Sequence, residues 1–184
     1  MTYYMVCLDL ERRDCLVVGG GRVALEKVQG LLECGADVTV VAPEVTPELR
    51  ALPVRVVERA FRRSDVVGRF LVIAATSIRA VNAVVSDAAN ERSVPCNVAD
   101  DPELCSFILP AVVRREPIVV GVSTGGASPA LAQRLRSDIG ELVGERHVEL
   151  ANRLAALRPW AKRTLPTYED RRDYFQQLVT EALA

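Results

Sequence analysis

Lysine is nearly missing from this chain: Lys27 and Lys162 are the only two in 184 residues, so arginine carries almost all of the positive charge. Arginine offers planar, permanently charged forks suited to carboxylates and phosphates. Histidine and tryptophan occur once each, as His147 and Trp160. A lone histidine, remote from the other candidate residues, leaves no cage for a resident metal, and no protein-bound metal is expected. The five cysteines, at 7, 15, 34, 96 and 105, contain no Cys-x-x-Cys pair. Neither a disulfide framework nor a structural zinc site follows from them, and a reducing, cytoplasmic setting fits best. No apolar run approaches the roughly 18 residues a membrane helix needs, and MTYYMVCLDLERRD has no basic start followed by a long apolar core. The chain reads as soluble, with no membrane partner. A formal charge of -1 gives no basic signature, so no nucleic-acid partner is expected either.

What is present is an alternation of short apolar runs and helical periods. Tyr3 to Leu8 alternates weakly, as an edge strand does, and Cys15 to Val18 is a strand stopped by three glycines. Val23, Leu25, Val28, Leu31 and Leu32 then recur at helical spacing up to Gly35, and Val38 to Ala42 forms the next strand before Pro43. That is one strand–helix–strand unit of about 30 residues, the size such units require. Further strands are expected at Val54 to Glu58, in FLVIAAT, and at Val94 to Ala99, with a helix over Val81 to Arg92. Alternating strands and helices imply an α/β fold, a Rossmann-like parallel sheet with helices on its faces. Beyond Pro110 the pattern changes to AVVRR, a strand at Ile118 to Val122, a glycine turn and a helix from about Ser128. From Glu145 the tail is amphipathic and helical, with expected interruptions at Pro159 and Pro166.

CLVVGGGRVALEK places Gly19-x-Gly21-x-x-Ala24 directly after a strand and at the opening of a helix. There the first glycine permits a tight turn, the second lets backbone approach a pyrophosphate, and the small third residue lets helix pack on strand. The helix start, with its free N–H groups and positive dipole end, faces the phosphates. Glu44 follows about 20 residues later, where an acidic side chain accepts hydrogen bonds from ribose hydroxyls and favours NAD over NADP. A solvent-facing Glu44 after the Pro43 turn is the competing reading. Arg22 has two readings as well, a phosphate contact or a surface charge.

The chain resembles the precorrin-2 dehydrogenase and sirohydrochlorin ferrochelatase family of sirohaem synthesis. The resemblance rests on DCLVVGGGRVALEKVQGLLECGADVTVVAPE, FLVIAAT and CNVADDPELCSFILPAVVRREPIVVGVSTGGASPALAQRLR, in that order. The last block carries most weight, because dinucleotide folds in general lack it. The resemblance implies NAD-dependent oxidation of precorrin-2 to sirohydrochlorin, followed in some members by insertion of ferrous ion as a substrate. It implies a homodimer built from an NAD-binding domain over 1–112, a small α+β dimerisation segment over 113–144 and a helical C-terminal domain over 145–184. Carried over by position, the cofactor contacts are Gly19, Gly20, Gly21, Arg22, Val23, Ala24, Pro43, Glu44, Ala75 and Thr76. The catalytic aspartate is Asp100, and the tetrapyrrole contacts are Asn97, Ser106, Phe107, Ser123, Thr124, Gly125 and Gly126. Two departures are Ser77 and Ile78, where many relatives carry acidic residues, and the end of the chain at 184. The latter implies a stand-alone enzyme without the methyltransferase domain of multifunctional sirohaem synthases.

The adjacent pair Asp100 and Asp101 divides in this reading. Asp101, before Pro102 and Glu103, is a helix start, whereas Asp100 ends a strand as a half-buried carboxylate able to take protons from the macrocycle. Ser106 and Phe107 line the pocket or belong to the core, and Cys105 is a small buried residue rather than a nucleophile. A substrate with eight carboxylates calls for cations, and Arg114, Arg115, Arg134 and Arg136 are the candidates. Trp160 and Tyr168 are expected to pack the tail. The rival readings are an oxidoreductase of another small substrate, a dehydrogenase without the iron step, and a non-catalytic NAD-sensing module.

Overall fold

In the computed structural model, which describes residues 3–184, five short strands line up in one parallel sheet. They are β1 (Asp14–Val18), β2 (Asp37–Ala42), β3 (Arg55–Glu58), β4 (Leu71–Ala74) and β5 (Cys96–Val98), in the order β3-β2-β1-β4-β5. Helix α1 (Arg22–Leu32) joins β1 to β2, the single turn α2 (Pro47–Arg50) precedes β3, and α3 (Arg79–Asn90) joins β4 to β5. The central strands are buried almost end to end because both faces of the sheet are covered. Alternate residues feed two separate cores. Cys15, Val17, Val40 and Ile73 meet Ala24, Val28 and Leu31 of α1. Leu16, Val18, Val72, Ala74 and Val98 meet Val85, Ala88 and Ala89 of α3. The period of two in the strands and of 3.6 in the helices thus decides which helix covers which face.

Tyr3 to Leu8, expected as an edge strand, forms no strand; Tyr4, Met5, Val6 and Leu8 are exposed. It pairs with none of the five strands of the sheet, whose edge strands are β3 and β5.

The chain divides into two compact units, Met1–Leu109 and Pro110–Ala184. The second starts with the antiparallel pair β6 (Ala111–Arg115) and β7 (Ile118–Val122), on which α4 (Pro129–Leu142) packs, Gly140 lying 3.9 Å from the Val113 methyls at its would-be β-carbon. Two helices follow, α5 (Glu145–Thr164) and α6 (Tyr168–Leu183). Pro159 lies inside α5 instead of interrupting it. Its ring is exposed, and so is Ala155 one turn back, whose carbonyl loses its helical partner but remains open to water. Pro166 does separate the helices, and Thr167 then caps α6 by accepting from the Asp170 N–H at 3.1 Å. Trp160 and Tyr174 meet between α5 and α6 with ring planes tilted by 53° and centroids 5.5 Å apart, while Tyr168 is exposed. Among the described residues no helix is long and apolar enough to cross a membrane.

Candidate active site

The strand order reverses at β1, which has β2 on one side and β4 on the other, and the crevice for a ligand lies beyond the carboxyl ends of the strands there. Gly19, Gly20 and Gly21 leave β1 at that point. Gly19 has φ of 134°, a region that side-chain-bearing residues avoid, and a β-carbon on it would strike the Ala75 carbonyl group. A β-carbon on Gly20 would strike the Glu44 carbonyl and come within 2.9 Å of the Val45 Cα. These two glycines let the ends of β2 and β4 close around the end of β1, and backbone bonds lock the arrangement. Gly19 N–H donates to Val41 O at 3.0 Å, Thr46 N–H to Gly20 O at 2.9 Å, and Ala75 N–H to Val18 O at 2.8 Å.

Gly21 differs from both. Its φ of -94° suits any residue, and a β-carbon would meet nothing within 4 Å. Neither backbone conformation nor protein packing demands glycine there. Gly21 is also the N-cap of α1, yet it offers no side-chain acceptor, and the first turn holds no acidic residue. The N–H groups of Arg22 and Val23, both exposed residues, therefore stand without a capping side chain at the positive end of the helix. Open space over uncapped donors fits a pyrophosphate, so these residues suit the dinucleotide. Ala24, fully buried, makes the close helix–strand contact. Arg22 is exposed and pairs with Glu26 at 3.3 Å.

The neighbouring strand ends supply Pro43 and Glu44 on one side and Ala75 and Thr76 on the other. Pro43 and Glu44 are both exposed, with the Glu44 carboxylate free to face a ribose. Thr76 is held by Asn82, a residue that the periodic reading of α3 passed over. The Thr76 hydroxyl donates to Asn82 Oδ1 at 2.7 Å, the Thr76 N–H does so at 3.3 Å, and Asn82 Nδ2 donates to Thr76 O at 3.0 Å. Asn82 is only 5% exposed. The available signal was a polar residue among Val81, Val85 and Ala88 on an apolar helical face.

Asp100 stands two residues beyond β5, at the same edge of the sheet, because Ala99 N–H donates to Ala74 O at 2.9 Å and extends the strand pairing to its doorstep. The half-buried setting expected for it is absent: its side chain is exposed, and its backbone is left-handed with φ of 61°. Asp101 is the more enclosed carboxylate, 16% exposed, and forms an ion pair with Arg79 at 2.9 Å. It precedes a 3-10 turn at Pro102–Leu104 as expected, but its side chain makes no capping bond; the turn closes through Leu104 N–H to Asp101 O at 3.2 Å.

Asn97, Ser106 and Phe107, expected at the substrate, are occupied with holding this loop. Asn97 Nδ2 donates to Phe107 O at 3.0 Å. Ser106 Oγ accepts from Cys96 N–H at 2.7 Å, covering the outer edge of β5, and Phe107 packs on the α1-side core. The Cys105 sulfur accepts from Val98 N–H at 3.1 Å and lies 3.3 Å from the Asp101 carbonyl. Burial pushes the Cys105 thiol up, against the opposing pull of the Val98 N–H, and burial carries Cys96 up to about 12. Both sulfurs are protonated packing groups at neutral pH, in keeping with the non-nucleophilic reading.

In the second unit Ser123, Thr124, Gly125 and Gly126 form a turn ahead of α4. Gly125 and Gly126 take φ of 64° and 89°, Ser123 Oγ accepts from Gly125 N–H, and Thr124 Oγ1 accepts from Ser128 N–H. Arg114, Arg115 and Arg136 line one hollow of about 300 Å³ with Val113 and Gly140, whereas Arg134 is paired with Asp138 at 2.8 Å. A larger hollow, about 720 Å³, lies between α5 and α6 and contains none of the expected site residues. Among the described residues no group of three or more His, Cys, Asp or Glu side chains is placed to hold a metal ion.

Comparison with known proteins agrees with this arrangement. Residues 6–111 match the NAD(P)-binding family model, and residues 115–142 match that of the sirohaem biosynthesis protein central segment. The sirohaem synthase of Thioalkalivibrio sulfidiphilus is 45% identical over 97% of this chain and 37% of its own length. That of Pseudomonas aeruginosa is 41% identical over 100% of the chain and 40% of its own length. The chain thus spans about two fifths of the curated relatives it matches. Among solved structures, SirC, a precorrin-2 dehydrogenase, superposes with a TM-score of 0.83 at 29% identity, over 99% of this chain and 93% of its own. The chain belongs to the NAD(P)-binding family that its glycine loop indicated, and it carries the central segment of sirohaem biosynthesis proteins that follows its NVADDPELCSFILP block.

Proposed function

We propose that this chain oxidises precorrin-2 to sirohydrochlorin with NAD as the acceptor. The observation that carries the proposal is the state of Gly21: a glycine that neither its own backbone nor any protein neighbour requires, over uncapped helix N–H groups, at the same sheet edge as Asp100. A nicotinamide dinucleotide held there would supply the hydride acceptor. The N–H groups of Arg22 and Val23 would hold the pyrophosphate over the close helix–strand contact made by Ala24, and the exposed Glu44 would accept from the ribose hydroxyls, which selects NAD against a 2′-phosphate that would meet its charge. The Ala75 and Thr76 backbone forms the opposite wall of the crevice. Asp100 takes the proton that leaves the macrocycle as the hydride departs, and its exposure allows that proton to pass on to water. In the second unit, Arg114, Arg115 and Arg136 are the candidate forks for substrate carboxylates, and the Ser123–Gly126 turn is a candidate substrate contact.

The functional unit in this reading is a homodimer formed through the second unit, whose Val119, Leu131, Leu135 and Leu142 are exposed apolar side chains. Iron insertion is a separate second step in which ferrous ion is a substrate and Asp100 accepts pyrrole protons. The deciding experiment is incubation with precorrin-2 and NAD, then ferrous or cobaltous ion, while absorbance is followed. NADH and sirohydrochlorin formed together support the proposal, metallation then supports the second step, and NAD binding without turnover points to a sensing module instead.

A further inference from the structure

Helix α3 carries a polar stripe that the reaction as described does not use. Arg79, Asn82 and Ser86 stand at i, i+3 and i+7, which places them on one face of the helix. Asn82 and Ser86 are 5% and 1% exposed, surrounded by Val85, Ala88 and Ala89, where a polar group is costly unless its bonds are made. Each bond goes to a loop at the carboxyl end of the sheet, and the targets differ. Asn82 encloses Thr76 through three hydrogen bonds, at the end of β4. Arg79 pairs with Asp101, the neighbour of Asp100, at 2.9 Å. Ser86 Oγ donates to Leu104 O at 2.7 Å, fixing the far end of the loop that displays Asp100.

We infer that the first two turns of α3 are a two-armed brace, in which Asn82 positions the cofactor wall at Thr76 while Arg79, helped by Ser86, positions the loop presenting Asp100. This rests on the cofactor and Asp100 roles proposed above. None of the three is a catalytic residue; each acts through the residue it holds. Asn82 meets backbone donors and acceptors simultaneously, so it fixes a peptide in place and not merely a side chain. The Asp100 loop has a residue in the left-handed region at its apex, and the Arg79–Asp101 pair and the Ser86–Leu104 bond flank that residue on its C-terminal side.

The test is a separation of effects. Asn82→Ala should weaken NAD binding about tenfold, measured by calorimetry, and leave kcat at saturating NAD within about twofold. Arg79→Ala should leave NAD affinity within about twofold and lower kcat about tenfold, with Arg79→Lys recovering part of the loss. Amide hydrogen exchange gives a readout independent of turnover. Arg79→Ala should accelerate exchange over 99–104 and spare 76–78, and Asn82→Ala should do the reverse. Should Asn82→Ala fail to fold, Asn82→Ser replaces it. Both variants moving the same constants and the same amides, or neither moving any, overturns the inference. If the unaltered chain binds no NAD, the cofactor reading has failed, and the exchange pattern alone decides the brace.

Discussion

The Ala75 carbonyl oxygen lies so close to Gly19 that a β-carbon on the glycine would overlap it, with the carbonyl carbon only 2.8 Å from that position. The ends of β1 and β4 touch because residue 19 has no side chain. Gly20 has the same relation to Glu44 at the end of β2. A β-carbon on Gly21, one residue on, would meet nothing within 4 Å, so three consecutive glycines divide into two that close the crevice and one that leaves it open.

That division gives a substitution series. Gly19→Ala and Gly20→Ala should destabilise the fold by about 3 kcal/mol or prevent folding, since backbone at the strand ends has to move. Gly21→Ala should leave Tm within a few degrees and weaken NAD binding at least about tenfold, read by thermal melts and calorimetry on the same preparations. A stable Gly20→Ala protein, or Gly21→Ala with full NAD affinity, would contradict the assignment.

The sheet and its two helical faces were legible because their periods are long and clean: β1, β2, β4, α1 and α3 all form within a few residues of their expected limits. Three features were not. The alternation of Tyr3 to Leu8 is a local property, and whether it becomes a strand depends on a pairing partner that only the finished topology supplies. Pro159 signals a break, yet one lost hydrogen bond at an exposed position does not outweigh the packing on either side. At the site, Asp100 and Asp101 exchange the surroundings expected of them: the supposed structural residue is enclosed by Arg79, while the supposed chemical residue is open to solvent. Nothing in the spacing of two adjacent aspartates reveals an arginine 22 positions upstream, because that pairing is made by α3 folding back over the sheet.

Asp100 should be separable from stability. Asparagine tolerates the left-handed conformation, so Asp100→Asn should retain Tm and NAD affinity while lowering NADH production by about a hundredfold or more. Asp100→Gly removes the strain of a φ of 61° and should raise stability slightly while losing the same activity. Near-normal turnover in Asp100→Asn would remove the carboxylate from the mechanism.

The cysteines should report the folded state on the alkaline side. Burial holds the Cys15 thiol up at about 11 and Cys96 at about 12, against the ordinary 9.0. A raised value means the native state retains protons that the unfolded chain releases. The resulting stability is complete below pH 9 and is lost as pH rises through 11 to 12. Urea midpoints should therefore fall over that window, less steeply in Cys96→Ala after allowing for its lower baseline. At neutral pH a thiol reagent should modify the exposed Cys7 first and reach Cys15 and Cys96 only on unfolding.

On the acid side the corresponding group is Asp65, in the 3-10 turn Arg63–Val66 before β4. Its carboxylate accepts from both terminal nitrogens of Arg59, at 2.8 and 2.6 Å, and from Arg62 N–H at 2.8 Å, with its side chain 10% exposed. The Arg59 guanidinium holds this carboxyl below the usual range, more than burial lifts it. A depressed value contributes stability above the ordinary 3.8, where both states are ionised, and that contribution disappears as pH falls through the native value. Asp65→Asn should cost about 2 kcal/mol at pH 7, because Arg59 loses its paired acceptor in a partly desolvated setting. The gap between the two proteins should close steadily in acid melts below pH 4. A constant difference across that range would mean that Asp65 acts through packing and its bond to the Arg62 N–H, and not through its charge.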